Sequence, residues 1–334
     1  MSRPIEQQVV VITGASTGIG RETAIRFGRR GATVVLAARN DAALQEVAVE
    51  VEKAGGRALV VPTDVSNWEA MQRLASEAVM RFGRIDTWVN DAAVSTYATV
   101  EQTTPEEYDR IMRVNFGGVA HGVKAALPVM KAQGEGTIIN LGSIESERAF
   151  PYHSAYAASK HAVKGFTDAL RLEQEHDRSG ITITLIKPAG VNTPFFNHTR
   201  SKIGDQPMPP PPAYPPADVA DAIVFAAEHP RRDLIIGGMG KMILTMERLS
   251  SSFMDWFMLQ GDWSFKLQHS GKPDNRQDNM DDVMARTGSE GDYGPLTTPA
   301  FYTRLLELHP NRKRLLFLAA VGAAAYFMMK PKTS

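Results

Sequence analysis

Short apolar runs recur through the first two-thirds of the chain, at 9–12, 33–37, 58–61, 87–90, 137–141, 181–186 and 234–237. They are rich in Val, Ile and Thr and carry no charge, the pattern of strands buried on both faces. Between them lie longer stretches in which apolar residues return every three or four positions, at 41–54, 68–82, 104–133 and 218–228. That period predicts amphipathic helices. The third of these helices opens with a complete start signal. Thr104 is the N-cap, Pro105 takes the first helical position and Glu107 closes a capping box. Strand and helix in alternation predict a parallel sheet covered on both faces, an α/β fold. Right-handed crossovers then bring the strand C-termini to one edge, where such sheets hold their ligands.

The rhythm breaks between 199 and 216, where Pro207, Pro209 to Pro212, Pro215 and Pro216 forbid regular structure. This stretch reads equally as a linker or as a loop lying over the ligand edge. Beyond Gly240 the alternation fades. Residues 242–259 are rich in Met, Leu, Phe and Trp, which predicts a helix packed on the main domain or on a second subunit. From 269 to 299 Asp, Asn, Gly, Ser and Pro predominate, the composition of a mobile, partly disordered connector. The run from Leu315 to Met329 is then wholly apolar, with Arg312, Lys313 and Arg314 before it and Lys330 and Lys332 after. As a helix its fifteen residues span about 22 Å against a bilayer core of about 30 Å, a gap that snorkelling cations and local thinning narrow. It is expected to form an apolar helix that anchors the protein to a membrane, with an interfacial or protein-docked helix as the alternatives. If it spans, the basic cluster keeps the large domain cytoplasmic. The chain therefore divides into a main domain at 5–240, a helical extension at 241–268, a connector at 269–310 and a terminal apolar helix at 311–334.

Composition narrows the chemistry. Lys and Arg balance Asp and Glu at 37 each, so no charge excess points to nucleic acid. There is no cysteine, which excludes thiol catalysis, disulfides and cysteine-based zinc sites. No metal site is expected. Nothing near Met1 resembles an apolar leader, so no secretory signal is expected. After the first apolar run stands Thr13-Gly14-Ala15-Ser16-Thr17-Gly18-Ile19-Gly20, followed by a helical pattern. A glycine turn between a buried strand and a helix start lets the backbone approach a pyrophosphate, and the free N–H groups of the first helical turn face its charge. Further on, Tyr156 and Lys160 stand at i and i+4 in a helical segment and share one face. An ammonium beside a phenol favours the phenolate, and the pair can pass a proton to or from an alcohol or carbonyl oxygen. Ser143 ends the fifth strand, at the ligand edge, while Asn115 is a polar amide inside an apolar helix.

Taken together, these segments resemble the short-chain dehydrogenase/reductase family. The glycine turn at 13–20, Asp64-Val65, Asn90 in NDAA, Asn115, Ser143, Tyr156-x-x-x-Lys160 and Pro188 to Thr193 appear in family order over about residues 5 to 240. The resemblance implies a Rossmann-like, doubly wound parallel sheet of about seven strands and a nicotinamide dinucleotide as cofactor. It implies a catalytic tetrad: Tyr156 as acid/base, Lys160 lowering its pKa and holding the nicotinamide ribose, Ser143 positioning the carbonyl, and Asn115 maintaining a water relay. Cofactor contacts are implied for Gly14, Thr17, Gly18, Ile19 and Gly20 at the pyrophosphate, for Ser16 as a hydroxyl donor that suits a 2′-phosphate, and for Asp64 and Val65 at the adenine. Asn90 is implied near the adenosine ribose and Thr193 near the carboxamide, with Ala92, Pro188 and Val191 in the same site. Two positions depart from the family pattern: Asp91 and Ala93 replace the usual Asn and Gly of NNAG, and Ala189 replaces the Gly of Pro-Gly. The departures leave the catalytic groups intact.

After the second strand the chain reads Ala37-Ala38-Arg39-Asn40. No acid is present to pair with free ribose hydroxyls, and the Arg39 guanidinium suits a 2′-phosphate. NADP(H) is therefore expected over NAD. The expected function is an NADP(H)-dependent oxidoreductase acting on a small-molecule alcohol or carbonyl, lipophilic if the chain is membrane-anchored, and homo-oligomeric by the resemblance. The competing reading is a regulatory or scaffold protein that senses NADPH. Substrate specificity is expected to lie in the loop after Val191 and in the segment beyond Gly240.

Overall fold

The computed structural model describes residues 3–284, 287–309 and 311–312. Its strands are β1 (Val9–Thr13), β2 (Thr33–Ala37), β3 (Arg57–Val60), β4 (Thr87–Asn90), β5 (Thr96–Tyr97), β6 (Gly136–Leu141), β7 (Ile181–Pro188), β8 (Arg200–Ser201) and β9 (Asp233–Ile236). Seven of them form a single parallel sheet in the order β3-β2-β1-β4-β6-β7-β9, and β5 pairs with β8 apart from it. Each apolar run found in the sequence is one strand of the large sheet. The order reverses between β1 and β4, which opens a crevice at their C-terminal ends. The register holds these ends level, with Thr13 beside both Ala37 and Asn90.

Alternation along each strand feeds two separate cores. Val10 and Ile12 face α1 (Gly18–Arg29), α2 (Asp41–Lys53) and α8 (Pro216–Glu228), where they meet Phe27, Leu44 and Ile223. Val9 and Val11 face α3 (Trp68–Phe82), α5 (Gly118–Gln133) and α6 (Ser154–His176), among Met71, Val123 and Val163. All of these side chains are buried. Burying each one stabilises the fold by roughly 1.5–3 kcal/mol before entropy is counted.

The helix expected over 104–133 is divided. It begins as α4 (Pro105–Ile111), with the predicted Thr104–Glu107 capping box in place. It then widens into a π-helical turn over Met112–Gly117 before α5 begins. The Asn115 side chain accounts for the widening, since it is tied to both main-chain groups of Val94 on the neighbouring loop. Such turns often mark functional positions.

The extension at 242–259 is likewise two helices, α9 (Gly238–Leu249) and α10 (Ser251–Leu259). Ser250 ends the first with an extended backbone, and its hydroxyl caps the second by accepting from the Phe253 N–H. Two short helices, α7 (Phe195–His198) and α11 (Trp263–Lys266), complete the set used below.

Residues 269–284 and 287–308 have the composition of a connector and little regular structure, yet they are seated on the domain by specific bonds. Tyr293 is buried and its hydroxyl donates to the Pro207 carbonyl. The Ala300 N–H donates to the Asp218 carboxylate, and Gly237 donates to the Thr303 hydroxyl. We refer to residues 269–284 and 287–308 as the strap. Among the described residues no helix is long and apolar enough to cross a membrane. The expected anchor at 315–329 lies outside the described residues.

Thr104→Ala removes one half of the capping box and is expected to cost about 1 kcal/mol. Urea unfolding checks this, since a midpoint equal to that of the native chain would show the cap to be dispensable.

Candidate active site

Along the C-terminal edge of the sheet runs a cavity of about 530 Å³. One end is built by the β1–α1 turn. Gly14 has φ of 76°, and a Cβ there would stand 2.8 Å from the Ala92 backbone nitrogen. A Cβ on Gly20 would lie 2.3 Å from the Gly14 carbonyl oxygen. Glycine at both places lets the turn close against the β4 loop, which leaves Gly14, Ser16, Thr17, Gly18 and Ile19 lining the cavity. The Thr13 hydroxyl fastens that loop by accepting from the Asp91 N–H and donating to the Val89 carbonyl. Gly20 is buried beneath the turn.

Toward the tips of β2 and β3 the lining continues with Arg39, Asp64 and Val65. The Asp64 carboxylate accepts from the N–H and hydroxyl of Ser66, and those bonds keep its pKa below the usual carboxylate value despite desolvation. At the other end stand Ala92, Pro188, Val191 and Thr193. The cavity thus meets a dinucleotide's needs with a glycine cradle, an ionised acid at one end and a buried lysine at the other.

That lysine is Lys160. It projects from α6, is buried, and donates from Nζ to the Leu141 carbonyl at 2.8 Å. Its ammonium lies 5.5 Å from the centre of the Tyr156 ring. Burial brings its pKa down to about 8, opposed by the negative charges of Asp91 and Glu145. Ser143 stands with Tyr156 in the cavity wall, and its hydroxyl accepts from the Glu145 N–H. Desolvation pushes the phenol well above its ordinary value, with the Glu145 and Asp91 charges adding and the Ser143 hydroxyl opposing. At neutral pH this site therefore holds a protonated phenol beside a hydroxyl, the arrangement that hands a proton to a carbonyl oxygen.

Asn115 is fully buried and lies behind this group rather than in the cavity wall. Its amide bridges Val94 to the Ser159 hydroxyl, which in turn donates to the Tyr156 carbonyl. Asn90 does not reach the cavity. Its side chain accepts from Trp88 Nε1 and donates to Asn140, whose amide donates to Thr167. These bonds form a buried chain that joins β4, β6 and α6. Arg39 is also differently engaged from its expected role, because its terminal nitrogens donate to carbonyls of the strap.

Further groups stand at the site, and of these His153 carried no sequence signal. His153 stacks on Tyr156 with ring centroids 4.4 Å apart and lies between Glu145 (2.8 Å) and the Ser95 hydroxyl (2.6 Å). Asp91, standing where the family pattern has Asn, is pushed up to about 7 by desolvation. Beyond Tyr156 the wall is apolar: Phe150 and Phe195, then Met242, Ile243 and Met246 of α9, then Phe257 and Trp263. Pro210, Pro211 and Pro212 line the same space, so the proline-rich stretch is a loop over the ligand edge. Among the described residues no cluster of His, Asp and Glu is arranged to hold a metal.

A family model for short chain dehydrogenases matches residues 8–204. The chain is 39% identical over 283 residues to an uncharacterised oxidoreductase, YxnA, of Bacillus subtilis, covering 82% of this chain and 77% of that one. Among solved structures it resembles a short chain dehydrogenase/reductase from Burkholderia phymatum in complex with NAD. That likeness has a TM-score of 0.68 at 26% identity, over 76% of this chain and 96% of the other. It also resembles a metagenomic short-chain oxidoreductase in complex with NADP, with a TM-score of 0.60 at 28% identity over 70% and 97% of the two chains.

Lys160 carries its charge below pH about 8 and loses it above. Dinucleotide affinity, read by fluorescence titration, is expected to decline as pH rises through that value. A flat profile from pH about 7 to about 10 would contradict a binding role for the ammonium.

Proposed function

The chain belongs to the short-chain dehydrogenase family, and from that premise we propose that it is an NADP(H)-dependent oxidoreductase that interconverts an alcohol and a ketone or aldehyde with Tyr156 as acid/base. The observation that carries this reading is the Lys160 ammonium 5.5 Å from the Tyr156 ring, with Ser143 in the same wall, in a cavity that begins at the glycine turn. The bound cofactor supplies or accepts the hydride, and the protein supplies geometry and the proton. Ser143 orients the substrate oxygen toward the phenol. Tyr156 gives that oxygen its proton during reduction and takes it back during oxidation. Lys160 holds the ribose of the nicotinamide half and favours the charged form of the phenol when oxidation requires it. Asn115 keeps the loop carrying Val94 and the helix carrying Tyr156 in register through its three hydrogen bonds.

The preference for NADP(H) rests on the tip of β2. Ala37-Ala38-Arg39-Asn40 presents no acid to repel a 2′-phosphate, and the Arg39 charge stands at that end of the cavity. The substrate is lipophilic in this reading, because Phe150, Phe195, Met242, Ile243, Met246 and Phe257 wall the space beyond Tyr156. Leu249, Phe253 and Trp256 are exposed on the helices that contribute part of this wall. Such a surface, together with the apolar sequence at 315–329, suits delivery of substrate from a bilayer.

Two measurements test the assignment. Tyr156→Phe is expected to lower carbonyl turnover at least about 10²-fold while NADPH still binds; unchanged turnover would remove Tyr156 from the chemistry. Titration of the native protein is expected to show tighter binding of NADPH than of NADH, and the reverse order would overturn the cofactor preference.

A further inference from the structure

Residues 278–284 of the strap return to the cavity beside the tips of β2 and β3, and Arg39 meets them there. Its Nη1 donates to the carbonyls of Met280 and Asp281, both at 3.2 Å. Its Nη2 donates to Asn279 at 2.7 Å and to Asp282 at 2.9 Å. Four carbonyls of one short segment turn inward around a single guanidinium, an arrangement that requires a planar donor fork and that a lysine would not hold.

Neighbouring contacts point the same way. Asn40 donates to the Met284 carbonyl at 2.8 Å, and Arg110 Nε donates to that of Met280 at 3.0 Å. Arg200 Nε holds Asp278 at 2.8 Å, and the other carboxylate oxygen of Asp278 accepts from the Met280 N–H. Asn279, Val283 and Met284 line the same cavity as Asp64 and Val65. The strap is therefore a wall of the cleft, and beyond it the Gly288 carbonyl accepts from the Gly18 N–H at the glycine turn.

We propose that Arg39 is a latch that fastens the 278–284 segment across the adenosine half of the cofactor cleft, so that a bound dinucleotide leaves only when this segment lets go. The inference rests on the dinucleotide reading above and adds to it what sets the rate of cofactor exchange. Each carbonyl bond to a charged donor contributes only modestly, so the latch opens on the timescale of loop motion rather than of unfolding. The four carbonyls take up the terminal nitrogens that a 2′-phosphate would use, so holding the strap and reading a phosphate compete for one side chain.

NADH separates them, because it has no 2′-phosphate to read. Release of NADH and NADPH is followed by stopped-flow displacement, using the fluorescence of the reduced nicotinamide. In Arg39→Ala, NADH release is expected to quicken about tenfold, the equivalent of losing one net charge-assisted bond. Asp278→Ala keeps Arg39 but removes the segment's 2.8 Å bond to Arg200 and the acceptor of the Met280 N–H, leaving the 3.5 Å Arg200–Asp281 contact, and it is expected to quicken NADPH release several-fold. A gain in release rate confined to NADPH in Arg39→Ala would make the guanidinium a phosphate reader and overturn the latch. Unchanged NADPH release in Asp278→Ala would overturn it independently of how well Arg39→Ala folds. Failure of the native protein to bind either nucleotide would instead remove the dinucleotide reading, and the latch with it.

Discussion

The site depends on how closely two pieces of backbone approach each other. The turn after β1 packs against the loop after β4 with no room for a side chain, since a Cβ on Gly14 or Gly20 would overlap main-chain atoms. That contact is available only because β1 and β4 are neighbours at the point where the strand order reverses. It brings the glycine turn, on one side of the crevice, within a single cavity's reach of Tyr156 and Lys160 on the other. A larger residue at either glycine would push the turn outward and separate the two halves of the site, leaving each half locally intact. Precise placement of this kind is what a hydride transfer needs, because the protein contributes position more than it contributes reactive groups.

The electrostatics of the site come from burial more than from pairing. Lys160 and Tyr156 sit four residues apart, as the sequence suggests, but the protein around them moves both away from their charged forms. Glu145 and Asp91 pull the two in a common direction, favouring a proton on each. Ser143 is the group that opposes this at the phenol. The surroundings thus keep the phenol protonated, so that a proton is at hand for a substrate oxygen.

Much of this was legible from the chain. The seven strands of the sheet declare themselves because a strand buried on both faces must be apolar throughout. Thr104, Pro105 and Glu107 mark a helix start because capping chemistry is local. The π-helical turn around Asn115 was hidden, since one widened turn does not change the apolar periodicity on either side of it. The side-chain partners of Asn90 were hidden, because its sequence position says nothing of the Trp88 indole and Asn140 amide it meets in the core. The strap's role was least legible. Arg39 is gripped by main-chain carbonyls, which every residue possesses, so no side-chain motif at 279–282 announces the contact. The composition there suggested a connector, and the composition is indeed that of a segment with little to bury.

Apart from Phe150, the apolar wall beyond Tyr156 comes from parts of the chain remote from the residues proposed to do the chemistry. Phe195 and the prolines at 210–212 lie between β7 and α8, and Met242, Met246, Phe257 and Trp263 lie beyond the last strand of the sheet. Ser143, Tyr156 and Lys160 all precede both segments and are fixed by β6 and α6. Shape and reactivity are therefore written in separate stretches of one gene product. Mutation can recut the pocket for a different molecule without touching the apparatus that would transform it. A lineage carrying this architecture can thus change what it consumes while keeping how it reacts.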